Sequence, residues 1–215
     1  MRSLQLADPR TILCIGAHCD DIEIGCGGTL AHWSQRFPRA RFVWAIFSGD
    51  RSRVAESRAA ARALLGEHAT VELRFHEFRD SFFPAQYAEI KEAVSALRQE
   101  VDPQIVLTHF ERDRHQDHRL LSDLTWNAFR DHLVLEYEIP KFDADLDRPN
   151  VYVALPEPLA RRKVDALLAS FATQAGRDWF TADTFLALMR LRGIECRAPS
   201  GFAEAFHGRK LLLGE

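Results

Sequence analysis

Ile12-Leu13-Cys14-Ile15-Gly16-Ala17 runs without a spacer into His18-Cys19-Asp20-Asp21-Ile22-Glu23, and Gly25-Cys26-Gly27-Gly28 follows. The first six residues have the apolar, β-branched character and the length of a buried strand, and the chain turns polar abruptly where that strand ends. Similar runs recur at 41–47, 70–75, 104–108, 132–136 and 151–155, with 11–17 as the first. Between and after them, 28–37, 54–65, 88–100, 120–129, 159–171 and 181–191 are rich in Ala, Leu, Arg and Glu and read as helices. Strands alternating with helices imply parallel pairing, because parallel neighbours need a long crossover and the crossover helix covers a sheet face. The expectation is an α/β protein in three layers. Gly49-Asp50, Pro84, Asp102-Pro103, Pro140, Pro149, Pro156 and Pro158 fall where such a fold needs loops. With no repeat and no shift in composition, residues 1–215 read as a single domain, and 197–215 as an irregular segment or short strand packed back on the body.

The 215 residues hold 28 Lys+Arg against 31 Asp+Glu, a formal charge of -3, which argues against sequence-independent nucleic-acid binding because that needs a basic footprint. At 47% hydrophobic and 27% charged the chain can build a sizeable core. Residues 1–10 contain Asp8 and Pro9 in place of a signal peptide's apolar segment, and no apolar run approaches the roughly 18 residues of a membrane span. The expected location is cytoplasmic, with Cys14, Cys19, Cys26 and Cys196 as free thiols. A homo-oligomer is compatible with the composition.

In an open parallel sheet, ligands bind beyond the carboxyl ends of the strands. Two strand ends are rich in chemistry there. His18 and Asp21, three apart across a tight turn, can converge on one ion. Ile105-Val106-Leu107-Thr108 is followed by His109 and then by His115-Gln116-Asp117-His118 at a helix start. A catalytic zinc site takes three protein ligands and leaves a position for water. The two clusters therefore offer one nitrogen more than the ion requires, and Asp20 and His115 as spare acid–base groups. Asp113 and Asp117 lie where they can hold the His115 ring and favour its charged form, whereas the helix N-terminus opposes imidazolium. The plain structural readings are an Asp-Asp helix cap and a solvated His-x-x-His pair.

These residues resemble the LmbE-like, or PIG-L-type, zinc-dependent N-deacetylase family. The likeness rests on Ala17-His18-x-Asp20-Asp21-x-Glu23 with the glycines behind it, and on His115-x-Asp117-His118. It extends to Ser48-Gly49-Asp50, Arg58, Leu65-Gly66, residues 103–109, Phe171-Ala172-Thr173-Gln174 and Ala203-Glu204-Ala205-Phe206. The resemblance implies a three-layer Rossmann-like fold with a mostly parallel sheet. It implies one Zn2+ per chain on His18, Asp21 and His118, Asp20 as general base, His115 as the group that stabilises or protonates the tetrahedral intermediate, and Asp117 tuning it. The substrate it implies is an N-acetylated amino sugar or conjugate of the N-acetylglucosamine type. Cys19 stands where the family usually has proline, which softens the turn and brings a thiol near the ion; the simpler reading is a small residue tolerated there.

Gly25 to Gly28 lack dinucleotide-binding spacing and read as a close-packed turn. Arg51, Arg53 and Arg58 read as a solvated helix face, with contact to a substrate hydroxyl or phosphate as the alternative. His109 reads as a strand-end group near the pocket, Glu136-Tyr137-Glu138 as either cleft lining or framework, and His32, His68, His76 and His132 as structural or surface residues. His207 is not taken as a pocket cap. Two other functions suit the clusters: a non-catalytic, metal-stabilised carbohydrate-binding protein, and a metal-dependent phosphoesterase, which would gather two ions.

Overall fold

The computed structural model describes residues 4–212, so the ends of the segments 1–10 and 197–215 read above lie outside the described residues. Seven strands, β1 (Thr11–His18), β2 (Arg41–Ser48), β3 (Thr70–Phe75), β4 (Ile105–His109), β5 (Leu133–Tyr137), β6 (Val151–Leu155) and β7 (Phe202–His207), form one sheet in the order β3-β2-β1-β4-β5-β7-β6. The first five are parallel, and β7 runs antiparallel to both neighbours. The chain leaves β1 toward β2 and β3 and then returns to place β4 on the other side, so the order reverses between β1 and β4. A crevice opens at such a reversal, beyond the carboxyl ends of the strands.

Among the described residues, six α-helices cover the sheet: α1 (Asp21–Arg36), α2 (Arg51–Leu65), α3 (Tyr87–Glu100), α4 (Gln116–Ala128), α5 (Glu157–Ser170) and α6 (Ala182–Cys196). Alternation along β1 divides the core. Ile12 and Cys14 join Phe42, Trp44 and Ile46 under α1, α2, α5 and α6, whereas Leu13, Ile15 and Ala17 join Val43, Ala45 and Phe47 under α3 and α4. This is the expected three-layer α/β arrangement.

The short strand read within 197–215 is β7, which enters the sheet between β5 and β6. One segment differs from its sequence reading: α1 begins at Asp21 instead of residue 28, so the glycines form its second turn and not a close-packed turn. A β-carbon on Gly25 would fall 2.2 Å from Cδ2 of Tyr137, and one on Gly28 2.6 Å from Cδ1 of Leu155. Close packing on the sheet thus overrides a helix penalty of about 1 kcal/mol per glycine. Glu204 of β7 uses the space above Gly28, accepting from the backbone N–H of Gly28 (2.9 Å) and Thr29 (2.6 Å) while paired with buried Lys163 at 2.6 Å.

Gly25→Ala should destabilise the fold by about 1–3 kcal/mol, the usual cost of overpacking. Gly27→Ala, whose new carbon meets only the Leu64 side-chain tip at 3.1 Å, should lose less. Urea unfolding of both variants is the measurement, and equal losses would remove the Tyr137 ring as the cause.

Candidate active site

The turn joining β1 to α1 is tight because one non-glycine residue takes a backbone that L-residues rarely adopt: Asp20 has φ 121°. Such a conformation costs roughly 1–3 kcal/mol and persists only where its surroundings hold it. Here the backbone N–H of His18 donates to Asp21 Oδ2 at 2.7 Å, and Arg53 of α2 donates to the Cys19 carbonyl at 2.6 Å and to Asp20 Oδ1 at 3.1 Å. Arg53 is therefore part of the site and not the solvated face expected of it, whereas Arg51 is exposed and Arg58 lies over the Phe75 ring. The Cys19 thiol turns toward the Ser48 carbonyl and Gly49, outside the donor cluster, in accord with the simpler reading.

His18, Asp21 and His118 converge. His18 Nδ1 lies 3.4 Å from Asp21 Oδ2 and 3.3 Å from His118 Nε2, and His118 Nε2 lies 3.4 Å from Asp21 Oδ1. The opposite ring nitrogens identify the tautomers. His118 Nδ1 meets Asp113 Oδ2 at 2.9 Å, and His18 Nε2 meets Asp117 Oδ2 at 3.3 Å and Asp80 Oδ1 at 3.2 Å, so the proton of each ring belongs on the carboxylate side. Two lone pairs and a carboxylate then face one point, an arrangement that repels itself unless a proton or a metal cation lies there. The spacing fits one: tetrahedral zinc with bonds of about 2.0–2.1 Å separates its ligands by about 3.3–3.4 Å.

Around this centre the two adjacent aspartates are driven apart. Burial pushes both carboxyl pKa values up, but for Asp21 the surrounding imidazoles of His118, His109 and His18 outweigh it and hold the group well below the usual range. For Asp20, burial and the Asp21 charge raise the pKa and Arg53 pulls it only partly back. Pairs of this kind mark an ionised group beside a proton acceptor. His115 caps α4, its Nδ1 accepting from the Asp117 N–H at 3.3 Å, which leaves the ring proton on Nε2. Burial, then the neighbouring His18, lower its pKa, so of the two opposing influences read from the sequence the acidic neighbours do not prevail and the ring is held neutral.

The two carboxylates expected to hold the His115 ring bond elsewhere. Asp117 takes the N–H groups of Ser81 (2.7 Å) and Phe83 (3.0 Å) besides His18, and Asp113 takes His118. His109 is completely buried. Its Nε2 accepts from the Ala17 N–H at 2.9 Å, it stacks on His118 with ring centroids 3.9 Å apart, and its Nδ1 has no partner. Glu136 is bonded to Trp126, Arg209 and the Glu111 N–H, and the Tyr137 hydroxyl donates to the Ile15 carbonyl, so both are framework. His207 is stacked on Phe110. Asp80, which the sequence reading passed over, follows β3 at the same sheet edge; the strand-end rule applied there points to it.

Asp20→Gly and Asp20→Ala both delete the carboxylate, but only glycine accepts φ 121° freely. Alanine is ordinarily the more stable by about 0.4–1 kcal/mol. Here the order should invert, with Asp20→Gly the more stable by about 1 kcal/mol or more in urea unfolding. The normal order would mean that the turn relaxes without strain.

The family model PIG-L, GlcNAc-PI de-N-acetylase, matches residues 13–129, a span that holds both clusters. The protein named uncharacterized deacetylase YaiS of Escherichia coli K12 is 32% identical over 173 residues, 73% of this chain and 88% of its own. N,N'-diacetylchitobiose deacetylase from Pyrococcus horikoshii shares the fold with a TM-score of 0.72 at 19% identity, covering 94% of this chain and 84% of its own. GalB, the 4-carboxy-2-hydroxymuconate hydratase of Pseudomonas putida KT2440, does so with a TM-score of 0.75 at 17% identity, covering 96% and 98%. A hydratase and a deacetylase on one scaffold show that the fold alone does not choose the reaction. The family match over more than half the chain, together with the 32% identical relative, establishes that this chain belongs to the PIG-L family of de-N-acetylases.

Proposed function

We propose that the chain is a zinc-dependent hydrolase that removes the acetyl group from the nitrogen of an amino sugar or its conjugate. The carrying observation is the convergence of His18 Nδ1, His118 Nε2 and the Asp21 carboxylate at 3.3–3.4 Å, with the Asp20 carboxylate next in sequence. Mixed nitrogen and carboxylate donors suit zinc, whereas magnesium prefers oxygen throughout. Bound there, zinc supplies Lewis acidity for an amide carbonyl and makes water acidic near neutral pH. Among the described residues, the two other donor groupings, His18 with Asp80, His115 and Asp117, and His109 with Asp113 and His118, each reuse one of these histidines, so a single ion per chain is favoured over the two of a phosphoesterase.

The residues divide the work. Asp20, with its raised proton affinity, takes the proton of the attacking water, and Arg53 fixes its Oδ1 so that the carboxylate keeps one orientation. His115 presents its Nε2 proton from the helix cap toward the developing oxyanion or the departing amine. Asp117 supports this indirectly, through the backbone N–H that sets the His115 tautomer and the carboxylate that holds His18. The presence of both Asp20 and His115 supports catalysis over a binding-only protein. The sugar is inferred from kinship: the family description names a GlcNAc conjugate, and one relative is named for diacetylchitobiose.

Protein purified without chelator should contain about one zinc per chain. Asp20→Asn should keep the zinc and lose at least about a hundredfold in deacetylation rate, while Asp21→Asn should lose zinc and regain activity when zinc is added. The reverse pattern would exchange the two assignments. His115→Ala should also stay loaded and fall about a hundredfold to ten-thousandfold. Acetate release from a panel of N-acetylated amino sugars, sugar phosphates and nucleotide sugars checks both, and a zinc-loaded wild type that releases none overturns the activity.

A further inference from the structure

The segment between β5 and β6 is stitched three times to the segment between β4 and α4. Arg112 Nη2 meets Asp147 Oδ2 at 2.6 Å, the Arg114 N–H donates to Asp145 Oδ2 at 2.7 Å, and Lys141 Nζ reaches Asp113 Oδ2 at 3.0 Å. The third contact bears on the site. Asp113 Oδ2 is the same oxygen that meets His118 Nδ1, and Oδ1 of that carboxylate accepts from the His115 N–H at 2.8 Å. Lys141 also lies 2.5 Å from Asp145 Oδ2, and both carboxylates are almost fully buried. One ammonium thus separates two anions that solvent does not screen, and one of those anions holds a ring of the donor cluster.

We propose that Lys141 is a positioning residue for His118, acting through Asp113. It keeps Asp113 Oδ2 on His118 Nδ1, so that the Nε2 lone pair points at His18 and Asp21. Without the ammonium, repulsion between Asp113 and Asp145 displaces the carboxylate and frees the ring to turn. The inference rests on the reading of His18, Asp21 and His118 as the ligand set. Partners that orient a ligating histidine typically contribute about 10–100-fold to metal affinity.

The test is the zinc affinity of the metal-free protein, measured by competition with a chromophoric chelator, alongside kcat and KM at saturating zinc. Lys141→Met should bind zinc about 10–100-fold more weakly and recover kcat when saturated. Lys141→Arg should stay near wild type, and adding Asp145→Asn to Lys141→Met should recover part of the loss by removing the second anion. Arg112→Ala cuts a stitch that does not touch Asp113 and should leave zinc affinity unchanged. If Lys141→Met does not fold, Lys141→Gln carries the same expectation. Unchanged affinity in the Lys141 variant overturns the inference, as does an equal loss in Arg112→Ala, which would make the effect one of general loop order. A wild type that takes up no zinc overturns the ligand reading as well, whereas one that binds zinc tightly but cleaves no N-acetyl sugar overturns the activity alone.

Discussion

The hydrogen bond from the His18 backbone to the Asp21 carboxylate closes the turn between the central strand and its helix, and most of the molecule is arranged around that closure. Because α1 starts three residues after His18, it has no loop with which to move away from the sheet. It must cross the strands at close range, which excludes a β-carbon at Gly25 and brings the Tyr137 ring against the helix backbone. The Tyr137 hydroxyl donates to Ile15 on β1 across the intervening β4, tying β5 to the central strand. Further along α1, Glu204 and Lys163 bind the backbone at Gly28, Thr29 and Ile24, so β7 and α5 are registered on the same helix. The position of the donor cluster is therefore set by core packing, not by a mobile loop.

That rigidity has an electrostatic consequence. Asp20, Asp21, Asp113 and Asp117 are all buried within a few residues of His18 and His118. Each carboxylate has a separate way of tolerating burial. Asp21 is surrounded by imidazoles, Asp117 by two backbone N–H groups and His18, and Asp113 by His118 and a backbone N–H as well as the lysine beside it. Asp20 is the one whose compensation is incomplete, since Arg53 offsets only part of its desolvation and of the Asp21 charge. An incompletely stabilised anion in a fixed position is what the general-base role proposed for Asp20 requires, because the raised proton affinity is then directed at the proton of the attacking water.

Much of this was legible in the residues. Alternating strand and helix patterns located the layers, and the strand-end rule found His18, Asp21, His115 and His118 because their chemistry is local to two short segments. What escaped depends on contacts distant in sequence. Four residues at 25–28, three of them glycine, read as a turn by propensity, and only Tyr137 and Leu155 make them a helix. Arg53 resembles its exposed neighbours, yet its partners lie 33 and 34 residues away in the β1 turn. Residues 202–207 give no local sign that they separate β5 from β6. The pairing of Asp113 with His118, and not with nearer His115, follows from His115 being the helix cap, whose Nδ1 is already turned to its own backbone.

The scaffold and the chemistry make separate demands on these residues. The reversal of strand order between β1 and β4 guarantees a crevice with His18 on one side and the α4 N-terminus on the other, whatever reaction follows. Two histidines and an aspartate from those elements define a place for a cation, but they supply neither a base nor an acid. In the proposed function those come from single positions near the donors: Asp20, forced to face differently from Asp21 by its left-handed backbone, and His115, forced to face differently from His118 by its role as cap. Two of the three proposed ligands, Asp21 and His118, thus have a nearby residue of the same type that local backbone geometry turns away from them. Under the proposed function, that duplication lets one pair of turns carry both the metal donors and the proton-transfer groups.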